Sequence, residues 1–191
     1  MALREGVYHL GPESGRLLIK TGRTGLGARA GHDLAIEATD WNGRVIVNPG
    51  DPARSSVSVN VDVGSLEVRQ GTGGVKPLTD SDRAEIKRNI REKILHPSQH
   101  PTITFQSASV AGTQEALTVA GELTIMGTSR PVTVRGSVDD DGWLRATAAV
   151  QQSQWGIKPY SAFMGALKLA DDVAIEVEAQ LTPTDQASSD T

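Results

Sequence analysis

The sequence contains no cysteine, which excludes disulfides, thiolate metal sites and a cysteine nucleophile together. Basic residues are not in excess: the net charge is −4 with both signs interspersed, so no basic stripe exists to neutralise phosphates and nucleic acid is excluded as a partner. No apolar run reaches the ~18 residues that a membrane-spanning helix needs, and no transmembrane segment is expected. The opening Met-Ala-Leu-Arg-Glu-Gly places the charged pair Arg4–Glu5 where the apolar stretch of a secretory signal would lie, so a cytoplasmic location is expected. Aromatics are scarce at 4%, which makes the one segment that gathers them stand out.

What is present is strand and turn punctuation. Gly occurs 20 times, and Val, Thr, Ile and Ser recur in short alternating runs bounded by Gly, Pro, Asn and Asp. In residues 56–63 Val takes every odd position and a polar residue every even one, the mark of a strand with one buried and one wet face. The same parity returns in residues 131–138, 144–150 and 173–181, and more weakly in 16–21, 33–38, 43–48, 101–110 and 115–126. Roughly eight to ten antiparallel strands follow. Such a meander hides its apolar face in a sandwich or in a barrel, and periodicity does not choose between them.

Residues 80–95 break the pattern and predict a helix. Ile86, Ile90 and Ile94 form a narrow apolar stripe, acids crowd the first turn, Arg91 and Lys93 the last, and Pro97 follows. A stripe this narrow suits a helix at the end of a barrel. The Gly-rich segment 70–77 lacks a phosphate-loop ending and is expected to be a mobile connection. No composition break marks a second core, so residues 1–181 form one domain, and residues 182–191, polar with a Pro, form a disordered tail.

No catalytic set assembles. His96 and His100 are four apart but interrupted by Pro97 and Pro101, which removes the helical geometry that would aim both at one metal. His32 and Asp33 are adjacent at a strand start and point to opposite faces. There is no Gly-x-Ser-x-Gly elbow, and the acids at 139–141 and 171–172 read as solvated turns rather than a calcium loop. No metal, cofactor or catalytic residue is expected. An enzyme or metal protein using His32 and His96, and a solidly packed barrel serving as a structural or partner-binding module, are the competing readings.

The segment Gly121-Glu122-Leu123-Thr124-Ile125-Met126-Gly127-Thr128-Ser129-Arg130-Pro131-Val132 resembles the G-x-L-T-x-x-G-x-x-x-P-V signature of the YceI-like family. His100-Pro101-Thr102-Ile103-Thr104-Phe105-Gln106-Ser107 is similar to its P-x-I-x-F-x-S strand, and the likeness runs from about residue 6 to 181. The resemblance implies a single closed, lipocalin-like antiparallel barrel of about eight strands with a helix at one end. It also implies an elongated pocket for a polyisoprenoid, an isoprenoid quinone or a similar long-chain lipid, bound without catalysis.

In such a barrel the expected lining is Leu34, Ile36, Val57, Val59, Val61, Ile103, Phe105, Leu123, Ile125, Val132 and Val134. Trp155 and Phe163, from the aromatic segment 154–165, are expected at its lip. Each sheltered methylene gains ~0.8 kcal/mol, offset in part by ordering the chain, so the walls select girth and length while the mouth must select the head. His32, Lys158 and Tyr160 are the expected polar rim. Family members often carry Arg and Asp ahead of the aromatic-Gly-Ile step; here Gln152, Ser153 and Gln154 stand there. Nothing in the sequence sets the oligomeric state, and a homodimer is the one self-association kept open.

Overall fold

The computed structural model describes residues 3–162 and 167–184. In chain order the elements are β1 (Gly6–Leu10), β2 (Gly15–Thr24), β3 (His32–Ala38), β4 (Trp41–Val47), β5 (Ser56–Asp62), β6 (Leu66–Gly73) and α1 (Asp80–Asn89). They continue with β7 (Thr102–Thr113), β8 (Ala116–Ile125), β9 (Thr128–Val138), β10 (Trp143–Gln151), β11 (Ser161–Ala162), β12 (Leu167–Gln180) and β13 (Thr182–Pro183). Twelve strands join in one sheet in the order β13, β1, β4, β5, β7, β8, β9, β10, β12, β2, β3, β6, with β11 paired to β12. The strand pairings are antiparallel.

The expected closed eight-stranded barrel is not what forms. The sheet is open and strongly curled, turning 307° about its axis with its edges 23 Å apart. The reason lies in two bends. β3 runs into β4 through Thr39 and Asp40, and β5 into β6 through Val63–Ser65. At each bend the chain changes partners, so β3 lies against β2 and β6 while β4 lies against β1 and β5. The bends are tied to each other by Thr39 N–H to the Ser65 carbonyl (3.2 Å) and Asp62 N–H to the Asp40 carbonyl (3.0 Å). β6 and β13 are left as edges. Alternation fixes which face a residue takes, but a change of partner at a bend leaves no mark in a period of two.

Alternation does sort the two faces. The outer one carries cross-strand charge pairs, Lys20–Glu176 at 2.7 Å and Arg145–Glu178 at 3.3 Å, each worth little at this exposure. The family-like segment 121–132 is the β8–β9 hairpin, with Ile125 opposite Thr128 and Met126 and Gly127 both at positive φ (49° and 76°). This is the backbone that matches the twist of a two-residue hairpin. Pro131 sits in β9 beyond the stretch that pairs with β10, which runs from Arg135 to Val138, so its missing N–H costs no ladder bond.

α1 starts with a capping box: Thr79 Oγ1 accepts from Asp82 N–H at 3.1 Å, and the Asp82 carboxylate from Thr79 N–H at 2.8 Å. The helix packs against edge strand β6, with Lys87 paired to Glu67. Beyond Asn89 it loosens into a π-helical turn, Ile90–Leu95, and stops at His96 in the left-handed region. Two boundaries differ from expectation. Gln70–Gly73 extend β6 rather than forming a connection, and Thr182–Pro183 pair with β1. The tail expected to be disordered lies, from residue 185 on, outside the described residues.

Candidate functional site

The curled sheet encloses a cavity of about 570 Å³ with an overwhelmingly apolar wall, within the ~300–1,000 Å³ usual for ligand sites. Leu34 and Ile36 reach it from β3, Val57, Val59 and Val61 from β5, and Ile103 and Phe105 from β7. Leu123 and Ile125 reach it from β8 and Val132 and Val134 from β9, so all eleven expected wall positions face this space. Many wall residues, Val59, Ile103, Phe105, Leu123 and Val134 among them, are only partly buried. That is what side chains facing an open lumen show, and it argues against the solidly packed barrel. Ile86, Ile90 and Ile94 of the helix complete the lining.

Further wall residues went unassigned in the sequence although parity marks them: Leu17, Ile19, Thr21 and Arg23 on β2, Leu144 to Gln152 at even numbers on and just after β10, and Val173, Ile175 and Val177 on β12. Two of these are polar for a local reason. Past Lys20, which still pairs with Ala35, Thr21 Oγ1 accepts from Leu34 N–H at 3.2 Å. Gln152 gives its amide to the Ala170 carbonyl at 2.9 Å.

One mouth gathers the polar groups. Arg23 donates to the Gly31 carbonyl and holds Asp33 Oδ1 at 3.4 Å from its Nε. His32, half-buried, has its Nε2 at 2.7 Å from the Lys76 carbonyl. A side chain at Gly74 would meet that imidazole, and one at Gly73 the tip of the flexible Arg23 side chain, and both residues hold the positive φ that favours glycine. Asp82, nearby at the helix start, is held below the usual carboxylate range first by the Thr79 N–H and then by its hydroxyl, with smaller contributions from the charges of His32 and Arg83.

The remaining expected site residues separate. His32 and Tyr160 lie on the cavity wall at this mouth, but Lys158 is exposed and off the wall. Trp155 is also off it: the ring is buried and its indole N–H donates to the Leu123 carbonyl at 2.9 Å. Ile157, two residues on, reaches the lumen. Phe163 lies outside the described residues. Ser153, in the stretch where family members carry charge, binds Asp171 through its N–H and hydroxyl, and Arg130 donates to the Gln154 carbonyl at 3.0 Å. His96 is exposed beside Pro97, away from His32 and the cavity. Among the described residues no group of three or more His, Asp or Glu could hold a metal ion, and no helix is long and apolar enough to cross a membrane.

Fold and site together define a hollow, curled antiparallel sheet with an apolar lumen and a polar mouth. The family model described as "YceI-like domain" matches residues 18–181, and the chain belongs to that family. A UPF0312 protein of Pseudomonas aeruginosa is 25% identical over 129 residues, 62% of this chain and 61% of that one. Protein YceI of Escherichia coli O157:H7 is 27% identical over 108 residues, 54% of this chain and 50% of that one. These matches thus span about half to three fifths of the relatives' length. Burkholderia cenocepacia BcnA shares the fold at a TM-score of 0.62 and 18% identity, covering 85% of this chain and 94% of that one. The Campylobacter jejuni YCEI protein does so at 0.58 and 12%, covering 79% and 85%.

Proposed function

We propose that this protein binds and carries or sequesters a long apolar lipid, of the polyisoprenoid or isoprenoid quinone class, inside the curled sheet and without catalysis. The observation that carries the reading is the cavity itself: a continuous aliphatic wall from at least seven strands and the helix stripe, with polar groups confined mainly to one mouth. An aliphatic wall attracts without direction, so it accepts a chain by girth and length. Head-group selection falls to Arg23, His32, Gln152 and Tyr160, of which Arg23 supplies a fixed charge near the opening.

The enzyme reading lacks support in the geometry, because His32 is engaged by a backbone carbonyl and His96 stands elsewhere. The same proposal keeps the protein in the cytoplasm, which cell fractionation with an antibody checks. The direct test of the lipid reading is native mass spectrometry of gently purified protein, followed by extraction with organic solvent. A stoichiometric apolar adduct of isoprenoid mass is expected. Protein of bare polypeptide mass that also fails to take up an added polyprenol would sink the reading.

A further inference from the structure

Among the described residues the exposed large apolar side chains are Leu26, Val75 and Tyr160, at 102%, 80% and 41% exposure. They are distant in sequence yet ride on loops around one opening. Leu26 is on the β2–β3 loop, Val75 on the β6–α1 loop and Tyr160 on the segment leading to β11. His32, where the first loop ends, meets the Lys76 carbonyl of the second at 2.7 Å. Tyr160 accepts from Leu169 N–H at 2.9 Å, and Leu169 pairs with Arg23 at the root of the first loop.

Charge is sorted in the same place. Residues 25–31, 74–79 and 156–160 each carry one basic residue, Arg29, Lys76 and Lys158, and no Asp or Glu, in a chain whose net charge is −4. All three cations are exposed. The nearest acids along the chain are Asp33, which is paired with Arg23, and Asp80 and Asp82 of the first turn of α1, which are engaged by Arg83 and Thr79. A single exposed apolar side chain needs no explanation. Three around the mouth of an apolar cavity, each within three residues of a cation, match the boundary between acyl chains and anionic head groups.

We propose that this rim docks the cavity mouth onto an anionic bilayer surface, Leu26, Val75 and Tyr160 entering the acyl boundary and Arg29, Lys76 and Lys158 meeting the head groups. An apolar chain would then pass between bilayer and lumen without crossing water. The purpose of the docking rests on the lipid-carrier reading, but its geometry does not.

The test is flotation of the full chain with vesicles of phosphatidylglycerol and phosphatidylcholine, against phosphatidylcholine alone. The wild type is expected to bind the anionic vesicles preferentially. The double variant Leu26→Ser, Val75→Ser should lose at least about tenfold in partition, and reversing each of the three cations to Glu at least about fivefold. A dansyl-farnesyl probe, titrated in vesicle-free solution, should bind wild type and double variant alike. Equal vesicle binding by both proteins, or none by the wild type, overturns the docking while probe binding leaves the carrier reading standing. Docking without probe binding has the opposite meaning. A wild-type dimer that the double variant splits, with no vesicle binding, would make the rim a self-association surface and also overturn the proposal.

Discussion

Two tryptophans are buried with opposite fates for their indole N–H. Trp155 donates to Leu123, whereas the Trp41 nitrogen is buried without a partner. Trp155→Phe should therefore cost about 1–3 kcal/mol in a urea titration. Because the ring is off the wall, probe affinity should hold within about twofold; a tenfold loss would restore the lip role expected from the aromatic segment. Trp41→Phe removes an orphaned donor and should change stability by less than about 1 kcal/mol. Asp139 offers a pH test at the same scale. Its carboxyl is held below the ordinary 3.8, chiefly by the Trp143 N–H and less by that of Asp141 and by Arg145, against some desolvation. With the folded pKa depressed, this contribution to stability is present above about 3.8 and is lost as pH falls through the folded value. Asp139→Asn should flatten the acid limb of stability below pH ~4, measured by thermal unfolding between neutral and acid pH; an unchanged limb would reject the assignment.

The β8–β9 hairpin shows how much of an element was legible. Gly127 was prominent in the family-like segment, and its φ of +76° with nothing within 4 Å of an added Cβ makes its role purely conformational. Gly127→Ala should cost about 1–2 kcal/mol while Gly127→Asn is better tolerated, and denaturant midpoints separate the two. Gly121 differs: an added Cβ would lie 2.5 Å from the Gln106 carbonyl and 2.6 Å from the Phe105 ring. Gly121→Ala should displace a wall residue and lower both stability and probe affinity. Strands with strict parity were readable because a period of two is local. β6 carries too short an alternation to mark it as a strand, since Leu66-Glu67-Val68 gives way to Gln70-Gly71 and only pairing with β3 extends the strand to Gly73. Arg23 and Gln152 share the parity of Ile19 and Val150, so their inward direction was readable even though their gathering at one mouth was not.

At the scale of the molecule the wall was legible and the closure was not. A sheet turning 307° with its edges 23 Å apart still encloses a lumen, because the helix stripe Ile86, Ile90 and Ile94 contributes wall where no strand pairing does. The decisive property is that this lumen is hollow, and substitution can test it independently of any natural ligand. Ala146 on β10 and Val177 on β12 face each other in register and both reach the cavity. In a solid core a benzyl group added at Ala146 would overpack and cost about 1–3 kcal/mol. In a hollow one the ring finds space and adds apolar contact, so Ala146→Phe should leave stability within about 1 kcal/mol of wild type or raise it. The same ring occupies volume that a bound chain needs, so affinity for a farnesyl probe should fall at least about tenfold. Preserved stability with lost binding separates an occupied lumen from a damaged fold. A stability loss with unchanged binding would place the probe outside the sheet.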